Sequence, residues 1–195
     1  MNEIEAKYGI EDIDGFLKRH DSVLHSVFGG EIFVLDVYYD HPKLNIDSED
    51  KVLRLRQEGE AVYIAFKGPR TYDQNLIKRP EFEPGVSDFQ EMEKGLELIG
   101  FEPHSRVEKY RTTLKHDEYP NVSIEIDRYP FIGYQLEIEG EQEDVDAVSN
   151  LLGLRVKDRI QKNCTELFLD YLAAHGIEFD NPKLHFTFKD EAELG

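Results

Sequence analysis

Glu3-Ile4-Glu5-Ala6-Lys7 places a charge at every second position. Successive side chains of a strand point to opposite faces, so Glu3, Glu5 and Lys7 share one face and Ile4 and Ala6 the other. The same period of two returns in Leu53-Arg54-Leu55-Arg56, Lys109-Tyr110-Arg111, Ile124-Glu125-Ile126-Asp127 and Leu136-Glu137-Ile138-Glu139. A merely solvated sheet face tends to mix signs and include Ser, Thr and Gln. Here the signs segregate by strand: Arg54/Arg56 and Lys109/Arg111 are basic, whereas Glu125/Asp127 and Glu137/Glu139 are acidic. The alternate positions Leu53, Leu55, Ile124, Ile126, Leu136 and Ile138 are apolar. Helices need apolar sheet surface to pack on. If they cover the outside, the charged faces point inward, and a closed antiparallel barrel tolerates such an interior when its charges are paired, hydrated or ligand-bound.

Working outward from these strands, the spacing predicts a strand over 3–9 and a helix over 12–27, capped by Asp12 and stopped by Gly29-Gly30. Strands are expected at 32–39, 52–58, 61–67 and 76–83, with Gln57-Glu58-Gly59-Glu60 as a hairpin. Arg70-Thr71-Tyr72-Asp73-Gln74-Asn75 reads as a loop near the mouth of the barrel. Ser87 and Asp88 open a helix that runs to Ile99 and stops at Gly100. Strands follow at 104–116, 121–128 and 132–140, then helices at 143–152 and 158–175, the last closed by Gly176. Leu184-His185-Phe186-Thr187-Phe188 alternates again and suggests an added strand or a lid. Strands grouped in hairpins, without regular strand–helix alternation, point to an α+β fold built on an antiparallel sheet or barrel. No repeat or linker interrupts residues 1–195, so one domain is expected.

Composition narrows the function. The 41 acids outnumber 23 bases, for a formal net charge of −18. That argues against binding to nucleic acid or an anionic membrane, but not against a small anionic ligand held by a local basic cluster with metal ions. No apolar run approaches the ~18 residues of a membrane span. The single Cys164 cannot form an internal disulfide, which suits a reducing cytoplasm, and it reads as a packed thiol. The seven His residues show no zinc-type spacing, and no phosphate-binding P-loop motif is present.

Taken in order, the charged strands resemble the CYTH-domain proteins of the triphosphate tunnel metalloenzyme superfamily, which includes class IV adenylyl cyclases, thiamine triphosphatases and inorganic tripolyphosphatases. The resemblance runs from Glu3 to Glu139, with helices and tail over 143–195 beyond it. Glu3, Glu5 and Lys7 match the opening E-x-E-x-K signature, and Asp36-Val37-Tyr38-Tyr39-Asp40 resembles a segment of the cyclase-like branch. Leu53 to Arg56 matches L-R-x-R, Phe66-Lys67-Gly68-Pro69 the strand ending in lysine, and Arg79-Pro80-Glu81-Phe82-Glu83 matches R-x-E-x-E. Lys109 and Arg111, Glu125 and Asp127, and Glu137 and Glu139 complete the set. One departure stands out: many cyclase-like members carry a Ser-Tyr pair ahead of the last helix, where this chain has Asn163-Cys164-Thr165.

The resemblance implies a closed eight-stranded antiparallel barrel with helices packed outside and a triphosphate bound in its tunnel. Guanidinium groups of Arg54, Arg56, Arg79 and Arg111 suit phosphate oxygens, with Lys67 and Lys109 as point charges. Glu3, Glu5, Asp127, Glu137 and Glu139 are the expected ligands of Mg²⁺ or Mn²⁺, which favour hard oxygen donors. Lys7 and Glu5 are the expected catalytic groups; Lys7 would assist an attacking water if its pKa were lowered. Asp36, Tyr38, Glu81, Glu83 and Glu125 are expected to line the tunnel. The substrate expected first is ATP, cyclised to cyclic AMP with release of pyrophosphate. Hydrolysis of tripolyphosphate or thiamine triphosphate competes with it, and a noncatalytic nucleotide- or polyphosphate-binding protein is the reading from another class. A monomer or homodimer is expected.

Overall fold

Eight strands close on themselves in a computed structural model that describes residues 2–44, 46–177 and 184–194. In chain order the strands are β1 (Asn2–Ile10), β2 (Leu24–Ser26), β3 (Ile32–Asp40), β4 (Val52–Glu58), β5 (Ala61–Lys67), β6 (Thr71–Asp73), β7 (Leu76–Phe82), β8 (Gly85–Val86), β9 (Glu102–His116), β10 (Tyr119–Tyr129), β11 (Gly133–Glu139) and β12 (Leu184–Phe186). The helices are α1 (Ile13–His20), α2 (Phe89–Leu98), α3 (Gln142–Leu151), α4 (Cys164–His175) and α5 (Phe188–Leu194). The ring runs β1-β11-β10-β9-β3-β4-β5-β7 and returns to β1, with every neighbour antiparallel. Its narrowest seam is β5 on β7, paired at Phe66↔Phe82 and Lys67↔Glu81.

The register brings unlike charges opposite each other. Lys7 faces Glu137, Asp127 faces Arg111, Asp36 faces Arg56, and Glu3 faces Arg79. A slip of one residue would turn every one of these side chains out of the barrel, so the alternation pins the register. The apolar alternates form the outer core. Ala6, Tyr8, Ile124, Ile126, Leu136 and Ile138 pack with Phe16 of α1 and with Val145 and Val148 of α3. Val37, Tyr39, Leu53, Leu55 and Ile64 pack with Leu96 of α2.

Helix α4 behaves differently. Phe168 and Leu172 of α4 and Phe186 of β12 pack on Val107 and Tyr129. Val107 and Tyr129 keep the parity of Lys109 and Asp127, which is the inward face. α4 therefore closes one end of the barrel instead of lying on its side.

Three expected elements are shorter than their periodicity implied. The helix at 12–27 ends at His20, and Leu24 instead joins β2, which pairs with β9. Leu24 is buried in that strand while Val27 stays exposed, so their helical spacing was coincidental. The helix at 158–175 begins only at Cys164, because Ile160 bonds the carbonyl of Lys7 and Arg159 is held by Tyr8, Asp146 and the carbonyl of Gln74. Part of the loop at 70–75 is strand: β6 pairs with β7 through a two-residue turn in which Gln74 and Asn75 adopt φ of 48° and 62°. The alternating tail is a strand over Leu184–Phe186, parallel to β9, and then becomes α5. Residues 178–183 of that tail lie outside the described residues.

Candidate active site

The inward faces enclose a cavity of about 590 Å³. Its walls include Glu3, Glu5, Lys7, Asp36, Tyr38, Arg54, Arg56, Lys67, Arg79, Glu81, Glu83, Lys109, Arg111, Glu125, Glu137 and Glu139. Strand parity brings fifteen of these side chains together from all eight barrel strands, and Glu83 joins them from just past the end of β7. Asp127 is fully buried behind them.

The cavity is electrically divided. On one side stand β4 and β9. Arg56 forks onto Asp36, Nε to Oδ1 at 2.7 Å and Nη2 to Oδ2 at 2.9 Å. Arg54 donates to Glu83 at 2.8 Å, while its Nε stands 3.6 Å from Asp36 and is a buried donor without a hydrogen bond among the described residues. Arg111 forks onto Asp127 at 2.7 and 2.6 Å and also meets Glu125. Lys109 donates to the same Asp127 at 2.6 Å. Both oxygens of Asp127 are thereby bonded, and the Tyr129 hydroxyl donates a further bond to Oδ2. Burial opposes ionisation of Asp127, but Arg111 and Lys109 outweigh it and hold the carboxyl low. Asp36 is held low in the same way by Arg56 and Arg54, against its burial.

On the other side stand β1, β11 and the latter half of β10. Glu125, Asp127 and Glu137 bring ligand oxygens within 4.8 Å of one another. Glu139 is pushed up to about 8 by burial and by Glu3, Glu125 and Glu5. Glu5 is pushed up to about 7 by burial, with Lys7 opposing and Glu137 and Glu3 adding to the rise. Burial likewise raises Glu3 and Glu125. Glu3 Oε2 is buried and has no hydrogen-bond partner among the described residues. Among the described residues, the wall residues named above and Asp127 supply nine carboxylates and seven cations. Burial, with neighbouring acids adding to it, thus disfavours ionisation of four of the carboxylates, Glu3, Glu5, Glu125 and Glu139.

Lys7 departs from expectation. Its ammonium lies 2.8 Å from Glu137 and 3.9 Å from Glu5. Burial works to lower its pKa, but Glu137 and Glu5 outweigh burial and hold the group above its ordinary value. These ion pairs favour its charged form, not the lowered pKa that a base would need. Burial and the neighbouring Arg111 push Lys109 the other way, against Asp127.

Several residues at the site were missed in the sequence. Tyr129 links Lys109 and Asp127, and its place two residues after Asp127 on the same face could have revealed it. Asp50, Arg70 and Glu166 also line the cavity. They come from connections and a helix start, where no period marks an inward residue. Cys164 is in the wall too, a half-buried thiol raised by desolvation against the pull of Lys7 and Lys109.

Comparison with known proteins agrees with this architecture. The sequence profile described as CYTH domain matches residues 1–162. A protein of Methanocaldococcus jannaschii named "Putative adenylate cyclase" is 25% identical over 152 residues, which cover 78% of this chain and 84% of that one. A Vibrio parahaemolyticus structure titled in the same words superposes with a TM-score of 0.73 at 20% identity, covering 86% of this chain and 97% of the other. A Hippeastrum structure, titled as an adenylyl cyclase by name that reveals a dominant triphosphatase activity, has a TM-score of 0.61 at 11% identity and covers 91% and 98%. At these identities the two structures show a shared fold.

Proposed function

This chain belongs to the CYTH domain family, and from that premise we propose that it is a divalent-metal-dependent enzyme acting on a triphosphate. The leading reaction is conversion of ATP to cyclic AMP and pyrophosphate. One observation carries the reading: a single cavity gathers the arginines of β4 and β9 with the carboxylates of β1, β11 and β10. A polyphosphate needs the first and its counter-ions need the second. The name of the M. jannaschii relative supports cyclisation as the first reaction to test.

In this reading Arg54, Arg56, Lys109 and Arg111 grip phosphate oxygens, with Lys67 and Arg79 at the β5–β7 seam. Asp36 and Asp127 hold these cations in place, so Asp127 acts behind the wall more than as a metal ligand. The donor set fits Mg²⁺ or Mn²⁺: the oxygens are hard, Glu3 Oε2 has no hydrogen-bond partner among the described residues, Glu3, Glu5, Glu125 and Glu139 are raised by burial, and Glu137, held ionised by Lys7, adds a charged oxygen donor. A cation held there would supply charge stabilisation at the attacking and leaving oxygens.

The ribose 3′-oxygen forms a bond to the α-phosphorus, the bond from that phosphorus to its β-bridging oxygen breaks, and pyrophosphate departs. The hydroxyl proton passes to a carboxylate of the acidic wall, with Glu5 the first candidate by its place in the E-x-E-x-K strand. Lys7 stays an ammonium and steadies Glu137 and Glu5. The same acceptor would serve a water attacking the terminal phosphorus, so hydrolysis of tripolyphosphate or thiamine triphosphate is the second reading. Residues 1–195 act as one domain in a reducing cytoplasm, and the seat of α4 on the barrel end supports that unity.

The test is incubation with ATP, tripolyphosphate and thiamine triphosphate, each with Mg²⁺ or Mn²⁺, with all products resolved. Cyclic AMP and pyrophosphate are expected. Orthophosphate alone would replace the cyclase by the hydrolase, and tight binding without turnover would overturn both.

A further inference from the structure

Arg79 stands apart from the other cations of the tunnel. Lys7, Arg54, Arg56, Lys67, Lys109 and Arg111 each meet an interior carboxylate. Arg79 instead donates to two backbone carbonyls, Gly68 at 2.8 Å and Asp50 at 2.9 Å. Those carbonyls belong to two rim connections, the β5–β6 turn and the 3-10 turn that ends the β3–β4 loop.

Side chains tie the same two connections a second time. The Arg70 backbone N–H donates to Asp50 Oδ2 at 2.7 Å, and its Nε donates to Oδ1 at 2.8 Å. Its Nη1 then reaches Glu166 Oε2 at 3.1 Å. Glu166 lies in the first turn of α4, where it also accepts the N–H of Asn163 at 2.6 Å and completes the capping box. α4 closes the barrel end and contributes Cys164 and Thr165 to the cavity wall. Bonds therefore run without a break from the guanidinium of Arg79 through Asp50 and Arg70 to the helix over the cavity.

Exposed ion pairs are individually weak, but the Arg70 side chain is only 15% exposed and is shared between two carboxylates on two different elements. A ligand that draws Arg79 inward pulls on the Asp50 and Gly68 carbonyls, and Asp50 is in turn bonded to Arg70.

We propose that Arg70 is a positioning residue of this tunnel: with Asp50 and Glu166 it seats the first turn of α4 over a triphosphate held by Arg79, so that loading of the tunnel and closure by α4 are coupled. The coupling to substrate rests on the triphosphate reading above; the clamp itself does not.

The variants are Arg70→Ala, Arg70→Lys, Glu166→Gln and the double Arg70→Ala/Glu166→Gln. Gln at 166 still accepts the Asn163 N–H, so the cap survives while the ion pair is lost. With whichever triphosphate is turned over, Arg70→Ala and Glu166→Gln are expected to raise KM about tenfold with kcat unchanged or higher, and the double variant to be no worse than Arg70→Ala. Arg70→Lys should not restore KM, since an ammonium cannot fork to both carboxylates. Hydrogen exchange supplies a second readout. In the unaltered protein, inorganic tripolyphosphate with Mg²⁺ should slow exchange of the amides at 167–172, and Arg70→Ala should abolish that slowing. Unchanged KM with unchanged slowing, or effects that add in the double variant, would overturn the coupling. If the unaltered protein turns over no triphosphate, the proposed function fails, and exchange without ligand still decides the clamp. Both single variants must then speed exchange at 167–172, without adding; no change sinks it.

Discussion

Asp127 and Glu139 lie on neighbouring strands and face the same interior, yet their carboxyls are shifted in opposite directions. Burial disfavours the charged form of both; Arg111 and Lys109 rescue Asp127, while Glu139 has Glu3, Glu125 and Glu5 for company and rises to about 8. Such contrasts make the acids of the tunnel unequal under mutation. Glu5→Gln removes a carboxylate that the empty site disfavours, so it should abolish turnover while leaving thermal stability equal or higher without metal. Glu137→Gln should also abolish turnover but cost about 3 kcal/mol of stability, because it strips the buried Lys7 of its 2.8 Å partner. Denaturant titrations in EDTA check both, and equal stability changes would refute the distinction. Arg56→Ala and Arg111→Ala should weaken ATP and bare tripolyphosphate alike, by about 1.5–3 kcal/mol per lost charged hydrogen bond. Titration of each variant with both ligands decides the matter: loss confined to ATP would mean that the arginines read the nucleoside.

Elements differ in what ends them. The run 158–175 looks like one helix by its apolar spacing, but Asn163 stops it from within. Its side chain accepts the N–H of Glu166 at 2.8 Å while Glu166 returns the bond, and that box sets the first turn of α4. At the far end Gly176 takes φ 63°, a left-handed stop that the sequence did reveal. Asn163→Ala should cost about 1 kcal/mol and speed exchange at the start of α4, while leaving the barrel strands protected. Equal loosening of β1 and β11 in the same exchange experiment would show that α4 is not an independent closure.

At the scale of the whole molecule, the barrel carries an acidic wall whose stability depends on pH. Glu5 and Glu139 rise from an ordinary 4.5 to about 7 and about 8. The folded state thus binds protons that the unfolded state has already released, and stability falls as pH climbs from about 4.5 towards 8. In EDTA the melting temperature should drop between pH 6 and pH 8 by on the order of 5 °C. Added Mg²⁺ or Mn²⁺ should recover most of that loss at pH 8 and little at pH 6, because the ion supplies the charge that protons supply at lower pH. A melting temperature indifferent to the metal at both values would argue that the acids do not form a cation site.

Period-two charge made the barrel legible. Glu3, Glu5, Lys7, Arg54, Arg56, Lys109, Arg111, Glu125, Asp127, Glu137 and Glu139 all face inward, as their alternation with buried apolar residues required. A strand has only two faces, so local spacing suffices to assign each side chain to one of them. Partnership was not legible: that Asp127 serves Arg111 and Lys109, that Glu137 holds Lys7 charged, and that Glu139 is left among acids depends on which strands are neighbours and at what register. The same limit hid Asp50, Arg70 and Glu166, which lie far apart in the chain and meet only when the barrel closes and α4 seats on its end. Short-range periodicity determined which residues face the tunnel; tertiary structure decided their charge states and couplings, because electrostatic energy depends on distances in space and not on separation along the chain.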